Sequence, residues 1–307
     1  MNFAQLYGQN QAVELLNSAV TLNRIAPAYL FAGPSGVGRT LTAKWFTQLL
    51  MGNDPLNNKK LQSGNHPDML WVMPTYLHQG KLLTPTEAAT TGLKRKAPPQ
   101  IRIEQVREIT QFLSRPPLIA SRCVVAIEDA QTMAESAANA LLKTLEEPGR
   151  ATIILIAPAT DSLLPTLVSR CQLIPFYRLN DENMQRVLIE KGYQDILNHP
   201  SLLMLAAGSP GEAIASFTQL QNIPPTLLQQ LQKAPNTPRE ALILAKEIDK
   251  TLDTEAQLWL INYLQHFYWE KLKNKSIIEQ LEKARQCLLS YVQPRLVWEC
   301  TLLRFIA

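Results

Sequence analysis

Five short runs in the first 177 residues are apolar throughout rather than at every second position: "AYLFA" 28–32, "DMLWVM" 68–73, "CVVAI" 123–127, "ATIILIA" 151–157 and "QLIPF" 172–176. An antiparallel strand with one wet face alternates apolar and polar residues. A continuous run instead predicts a strand covered on both faces, which is the condition of a parallel sheet between helices. Helical patterns separate the runs, so residues 1–177 are expected to form an α/β domain with a parallel sheet.

The stretch "FAGPSGVGRT", 31–40, follows the first of these strands and opens the helical segment "TLTAKWFTQLL". A glycine-rich turn from strand to helix is where backbone N–H groups cradle phosphate, and Gly33, Pro34, Ser35, Gly36, Val37, Gly38, Arg39 and Thr40 fit the phosphate-loop pattern with one departure. The pattern asks for lysine where Arg39 stands. Lysine is a slim point charge that threads the loop, whereas arginine is longer and planar, so the exchange is not conservative. Backbone binding of phosphate survives such a change better than hydrolysis does.

ATP chemistry also needs carboxylates at the end of a neighbouring strand. Glu128 and Asp129 directly follow "CVVAI", a position that suits a magnesium-holding pair and equally a solvated acidic strand end. The loop upstream favours the first reading, and the site can take ATP or ADP with Mg2+.

Composition excludes several classes. Net charge is +4 with 18% charged residues, too weak a field to argue for nucleic acid or membrane by itself. No apolar run is long enough to span a bilayer. Cys123, Cys171, Cys287 and Cys300 are scattered without a C-x-x-C pair, which fits reduced thiols and no metal site. The N-terminus lacks the pattern of a secretory leader, and the expected location is the cytoplasm.

Beyond residue 177 the strand signals stop. Residues 74–100 lack clear periodicity and read as a mobile surface loop, whose Lys94-Arg95-Lys96 triplet reads better as solvated than as phosphate-binding. Proline punctuation over 222–240 marks a junction. Capping-box spacings at Thr237–Glu240 and Ser276–Glu279 begin two later helices. Between them Trp259, Tyr263 and Phe267 recur every four residues, a stripe that reads as core or subunit interface rather than a binding platform.

The segments "FAQLYGQNQAVELLNSAVTLNRIAPAYLFAGPSGVGRT", "AANALLKTLEEP" and "LVSRCQLIPF" together resemble the clamp-loader branch of the AAA+ ATPases, over residues 1 to about 215. The resemblance implies an AAA+ parallel-sheet nucleotide-binding domain over 1–177, a small helical lid domain over 178–222 and an all-helical collar domain over 223–307. It implies a hetero-oligomeric ring with motor (tau/gamma-like) subunits and a delta-like subunit, which loads a sliding clamp onto primed DNA. It also implies that Ser169-Arg170-Cys171 carries an arginine finger, Arg170, for ATP held by the adjacent subunit. On the residues alone, Arg170 reads as a surface cation paired near a strand start.

Departures from the family pattern sharpen the expectation. "LQSGNHPDMLWVMP" keeps Gly64-Asn65-His66-Pro67-Asp68 but none of the four cysteines of the family's zinc module, so no zinc is expected. Gly211 stands where motor subunits carry the lid arginine that senses the γ-phosphate. With Arg39 and Gly211 both departing, the chain is expected to hydrolyse little or no ATP itself and to serve as a scaffold that lends Arg170. An active motor subunit is the alternative, supported by Gly33, Gly38, Thr40, Glu128 and Asp129. A free-standing nucleotide kinase is disfavoured by the long helical C-terminal third.

Overall fold

The computed structural model describes residues 6–52, 59–61, 63–90, 98–147 and 149–306. The chain divides into two compact units, Met1–Met184 and Gln185–Ala307.

The first unit is built on five of its strands, all paired parallel. These are β1 (Ala28–Ala32), β2 (Met69–Val72), β5 (Cys123–Ile127), β6 (Ala151–Ala157) and β7 (Gln172–Pro175), in the spatial order β2-β5-β6-β1-β7. Every residue of β1, β5 and β6 is buried, which accounts for their unbroken apolar sequences. Tyr29 faces Ile154 on one side and Gln172 on the other, so β1 is interior and β7 lies on an edge.

Helix α1 (Asn10–Thr21) precedes β1, and α2 (Arg39–Met51) follows the glycine-rich turn. Phe46 of α2 packs edge-on against Tyr29 with ring centroids 5.0 Å apart. On the other part of the core, α4 (Ile103–Leu113) and α5 (Glu135–Glu146) bring Val106, Ile109, Ala137 and Leu141 against Val125, Ile127 and Ile153. The short α6 (Pro165–Val168) leads into β7.

Residues 76–90 correct the expectation of an irregular loop. Strands β3 (Tyr76–His78) and β4 (Lys81–Leu83) pair antiparallel around Gln79 and Gly80, both with positive φ, 49° and 78°. Two left-handed residues in a two-residue hairpin turn match the twist of the flanking strands. Helix α3 (Pro85–Thr90) follows at once. Thr84 Oγ1 accepts from the Glu87 N–H, and Glu87 accepts from the Thr84 N–H and hydroxyl. The Thr-Pro-Thr-Glu spelling of that capping box is present in the sequence. The Lys94-Arg95-Lys96 triplet lies outside the described residues.

In the second unit, the described helices after α7 (Asp181–Glu190), which begins in the first, are α8 (Pro200–Ala206), α9 (Pro210–Asn222), α10 (Pro225–Lys233), α11 (Pro238–Thr251), α12 (Thr254–Leu272), α13 (Lys275–Leu289) and α14 (Pro294–Leu303). Thr237, Asp253 and Asn274 cap α11, α12 and α13, each accepting from a backbone N–H three residues on. The cap at α13 is therefore Asn274, and the Ser276–Glu279 expectation is corrected: Asn274 reaches the Ile277 N–H, so the helix has already begun when the chain reaches Ser276. Trp298, fully buried, donates to Gln257 Oε1 at 2.9 Å, and Gln257 donates to the Leu252 carbonyl at 2.9 Å. Trp259 stacks on Tyr263 and donates to Ser216 Oγ, so two members of the aromatic stripe have interior partners. Leu202 of α8 joins the same apolar core as Leu244, Leu260 and Leu281. No described helix is long and apolar enough to cross a membrane.

Candidate functional site

The strand order sets the site. The chain leaves β1 at its carboxyl end into the glycine-rich turn, and leaves β5 at the same end into Glu128-Asp129, with β6 between them. Open parallel sheets bind ligands at the carboxyl ends of their strands, beside the point where strand order reverses.

Gly33 is required by a close approach. A Cβ built there would lie 2.3 Å from the carbonyl oxygen of Phe176, so any side chain would push β1 away from the end of β7. Gly38 takes φ 107°, a backbone that side-chain-bearing residues rarely adopt, and no side chain caps α2 behind it. The first N–H groups of α2 are thus left facing the turn, as in anion-binding helix termini. Gln9, buried, fixes the turn from below: its Nε2 donates to the Val37 carbonyl at 3.4 Å and the Tyr177 carbonyl at 2.6 Å, and its Oε1 accepts from the Tyr177 N–H. Gln9 was not among the sequence candidates, and its partner lies 168 residues away.

Arg39 is the first residue of α2 and only 7% exposed. Its Nη1 is buried with no hydrogen-bond partner among the described residues. Burial pulls its pKa below the usual arginine value, and the carboxylates of Asp129 and Glu128 offset part of that. Thr40 donates its hydroxyl proton to Glu128 Oε1 at 2.7 Å, and the Trp71 indole donates to Glu128 Oε2 at 3.0 Å. Lys44 lies 5.4 Å from the centroid of the Trp71 ring. Asp129 is left-handed, φ 48°, and accepts from Gln131 Nε2 at 3.2 Å. These residues surround a cavity of about 250 Å³ lined by Ser35, Gly36, Arg39, Thr40, Glu128 and Asp129, among others.

The loop, Arg39, Thr40, Glu128 and Asp129 are therefore brought together as the sequence predicts, and Trp71 joins them unannounced. The donor set fits an anion: uncapped helix N–H groups and an unsatisfied guanidinium. Thr40 donates its proton to Glu128 and keeps its oxygen lone pairs, so Thr40, Glu128 and Asp129 are the groups that would hold a magnesium ion beside the phosphates.

Arg170 and Ser169 lie elsewhere and do not line this cavity. Both are exposed. Ser169 ends α6 and donates to the Thr166 carbonyl at 3.1 Å. Arg170 Nη2 pairs with Glu146 Oε1 at 2.7 Å, and Nη1 donates to the Thr166 carbonyl at 3.0 Å. Next to it, burial pushes the Cys171 thiol up to about 11. Gly211 is the second residue of α9, whose first turn is capped by Ser209 Oγ accepting from the Glu212 N–H.

The cysteine-free segment has a structural role of its own. His66 Nδ1 accepts from the Asp68 N–H, and the Asp68 carboxylate accepts the backbone N–H groups of Leu118, Ile119 and Ala120 at 2.6 to 2.7 Å. Burial would raise the Asp68 pKa, yet those three bonds hold it below the ordinary value. No group of three or more potential metal-ligating side chains occurs among the described residues.

Two family profiles cover almost the whole chain. One described as "DNA polymerase III, delta subunit" matches residues 8–180. The other, "Cyanobacterial DNA polymerase III delta prime, C-terminal domain", matches residues 182–305. The "DNA polymerase III subunit delta'" of Bacillus subtilis strain 168 is 32% identical over 205 residues, 64% of this chain and 55% of that protein. The protein of the same name from Pseudomonas aeruginosa is 33% identical over 199 residues, 60% of this chain and 54% of its own. The matches span about half the length of these curated relatives. The crystal structure of a DNA polymerase III gamma subunit-related protein from Thermotoga maritima superposes with a TM-score of 0.55 at 19% identity, covering 96% of this chain and 98% of that one. That structure shares the fold, a parallel α/β domain followed by helices.

Proposed function

The chain belongs to the DNA polymerase III delta-subunit family, and on that premise we propose that it is a delta-prime-like subunit of a replicative clamp loader, one that lends Arg170 to a neighbouring ATPase site and turns over little or no ATP itself. Its partners are tau/gamma-like motor subunits and a delta-like subunit, and through the complex it acts on a sliding clamp and primer-template DNA in the cytoplasm. The AAA+ domain spans 1–177, the lid 178–222 and the collar 223–307.

The observation that carries this reading is the setting of Arg170. Its guanidinium sits on an exposed edge, held by one carboxylate and one carbonyl. An exposed ion pair contributes only about 0–1 kcal/mol, so redirecting the fork costs little. A phosphoryl group presented by another subunit offers two oxygens to a planar donor pair, a stronger partner than Glu146 alone. Charge that develops on the transferred group would then be neutralised from outside the site that holds the nucleotide.

The chain's own loop supports a nucleotide-binding role, for ATP or ADP, but not turnover. Arg39 replaces the lysine that would reach the outer phosphates, and Gly211 supplies no charge from α9. The isolated chain should show negligible ATPase activity at saturating ATP. An isolated chain as fast as the assembled loader would favour the motor reading instead.

The deciding assay is ATPase of the complex reconstituted with its motor subunits, clamp and primed DNA. Arg170→Ala should lower turnover by about tenfold to a thousandfold, as expected when a transition-state charge partner is removed. The same variant should stay folded and assembled. Equal rates for parent and variant would leave Arg170 as an ordinary surface residue.

A further inference from the structure

We propose that residues 115–122 form a docking loop, whose Leu118 and Ile119 side chains enter an apolar pocket rimmed by aspartate and glutamate on another protein of the complex. This rests on the reading of the chain as a loader subunit, and it concerns a surface to which that reading gives no role. The loop joins α4 to β5 at the amino end of the parallel sheet, whereas the glycine-rich cavity lies at the carboxyl end. Arg170 also lies at the amino end, but just before β7, with β6 and β1 in between. At the ~4.8 Å spacing of neighbouring strands, about 14 Å of sheet separates the two.

Exposure, rigidity and charge point the same way. Leu118 is 78% exposed, and Ile119 beside it is 47% exposed. Scattered apolar side chains on a surface are ordinary, but these two are adjacent and their backbone is fixed. The buried Asp68 carboxylate accepts the N–H groups of Leu118, Ile119 and Ala120, and Pro116 and Pro117 lock φ just before them. A loop held in this way has little conformational freedom left to lose when a partner closes on it. As to charge, residues 109–127 contain Arg115 and Arg122 but no aspartate or glutamate. Arg150, whose carbonyl accepts the Cys123 N–H, places a third arginine at the start of β5.

The kind of occupant follows from these side chains. Single-stranded nucleic acid is gripped by cations together with aromatic platforms, and residues 113–122 include no aromatic side chain. Two branched aliphatic side chains instead suit the dry core of a protein interface, and arginines at its rim suit carboxylates, which a guanidinium can take two oxygens at a time. Arg115 is exposed, and Arg122 is held in place by Nη1 donating to Thr152 Oγ1 at 3.0 Å. Asp68 does not cancel their charge toward a partner, because it is buried and both its oxygens are committed to the loop backbone. It is a positioning residue, which sets where the two apolar anchors stand.

The test is photo-cross-linking in the loader reconstituted from the full chain, its motor subunits, the delta-like subunit, the clamp and primed DNA. Benzoylphenylalanine in place of Leu118 should give one dominant adduct to another protein of that complex. Mass spectrometry should place it on a surface where apolar side chains have aspartate or glutamate beside them. With benzoylphenylalanine in place of Ile119 instead, Leu118→Asp should lower the yield of the same adduct by about tenfold or more, as for a lost central anchor. Arg115→Glu should lower it about threefold, and the loss should shrink as salt rises. Asp68→Asn should lower it as well and speed amide exchange at 118–120, with thermal melts of every variant to show that it is folded. An adduct confined to DNA or to a surface without carboxylates, or no adduct although the complex assembles, would overturn this inference and leave the subunit reading intact. So would a yield that Leu118→Asp leaves unchanged. A parent chain that fails to join the complex would overturn both.

Discussion

Arg39 and Arg170 belong to the same compact unit and live under opposite conditions. Arg39 is buried at a helix N-terminus with a donor unsatisfied, whereas Arg170 is exposed and already paired with Glu146. A guanidinium of the first kind leaves the desolvation of one donor uncompensated. One of the second kind contributes little where it is and can be moved cheaply. In the function proposed above, the first serves the chain's own loop and the second is offered to another molecule, a division of roles that burial and the resting partner would set.

Substitutions at the two arginines can break this contrast. The largest effect is expected for Arg170→Lys in the reconstituted loader. Lysine keeps the charge but loses the planar fork, so turnover should stay about tenfold or more below the parent. Full rescue by lysine would mean that charge alone suffices.

Next is Gly33→Ala, which tests whether the Arg39 side depends on the loop being held against β7. A Cβ 2.3 Å from the Phe176 carbonyl should cost about 1–3 kcal/mol, seen as a lower midpoint in urea. An unchanged midpoint would show that the loop can shift freely.

Arg39→Met compares the two environments directly. Replacing a buried cation that has one donor unsatisfied with an unbranched apolar side chain should stabilise the ligand-free chain by about 1–3 kcal/mol. The sign follows from the lowered pKa of Arg39: the folded state disfavours its charge, and at neutral pH the residue is charged in both states, so the full penalty is present. Arg170→Met should move stability by no more than about 0.5 kcal/mol. Equal shifts for the two would erase the distinction.

The smallest effect is that of Glu146→Gln, which weakens the resting pair of Arg170. Stability should change by less than about 1 kcal/mol. ATPase of the complex should hold steady or rise slightly, because the fork no longer has to leave a carboxylate. A fall as large as that of Arg170→Ala would make Glu146 a working part of the interface rather than a resting partner.

Much of the site was legible before any coordinates. The apolar runs 28–32, 123–127 and 151–157 became β1, β5 and β6 with the same limits, because strands buried on both faces leave an unambiguous pattern. The loop and the Glu128-Asp129 pair followed from their places at strand ends. The hairpin at 76–83 was missed although Gln79-Gly80 marks its turn, since its short strands are partly exposed and show no strong alternation. The cap at Asn274 is hard to read from the sequence because Asn274-Lys275-Ser276-Ile277 spells no capping box, whereas Ser276–Glu279, two residues later, does.

What the sequence determined by itself is local: the period of each segment, the turn chemistry, and the residue types offered at each strand end. The tertiary structure alone decided which distant groups meet. Trp71 reaches Glu128 across 57 residues, Glu146 reaches Arg170 across 24, and Gln9 reaches Tyr177 across 168. Gly33 is needed because Phe176 passes beside it. Such pairings depend on strand order and register, which the packing of the whole sheet selects, and a hydrogen bond to a distant partner leaves no periodic trace in the chain around either residue.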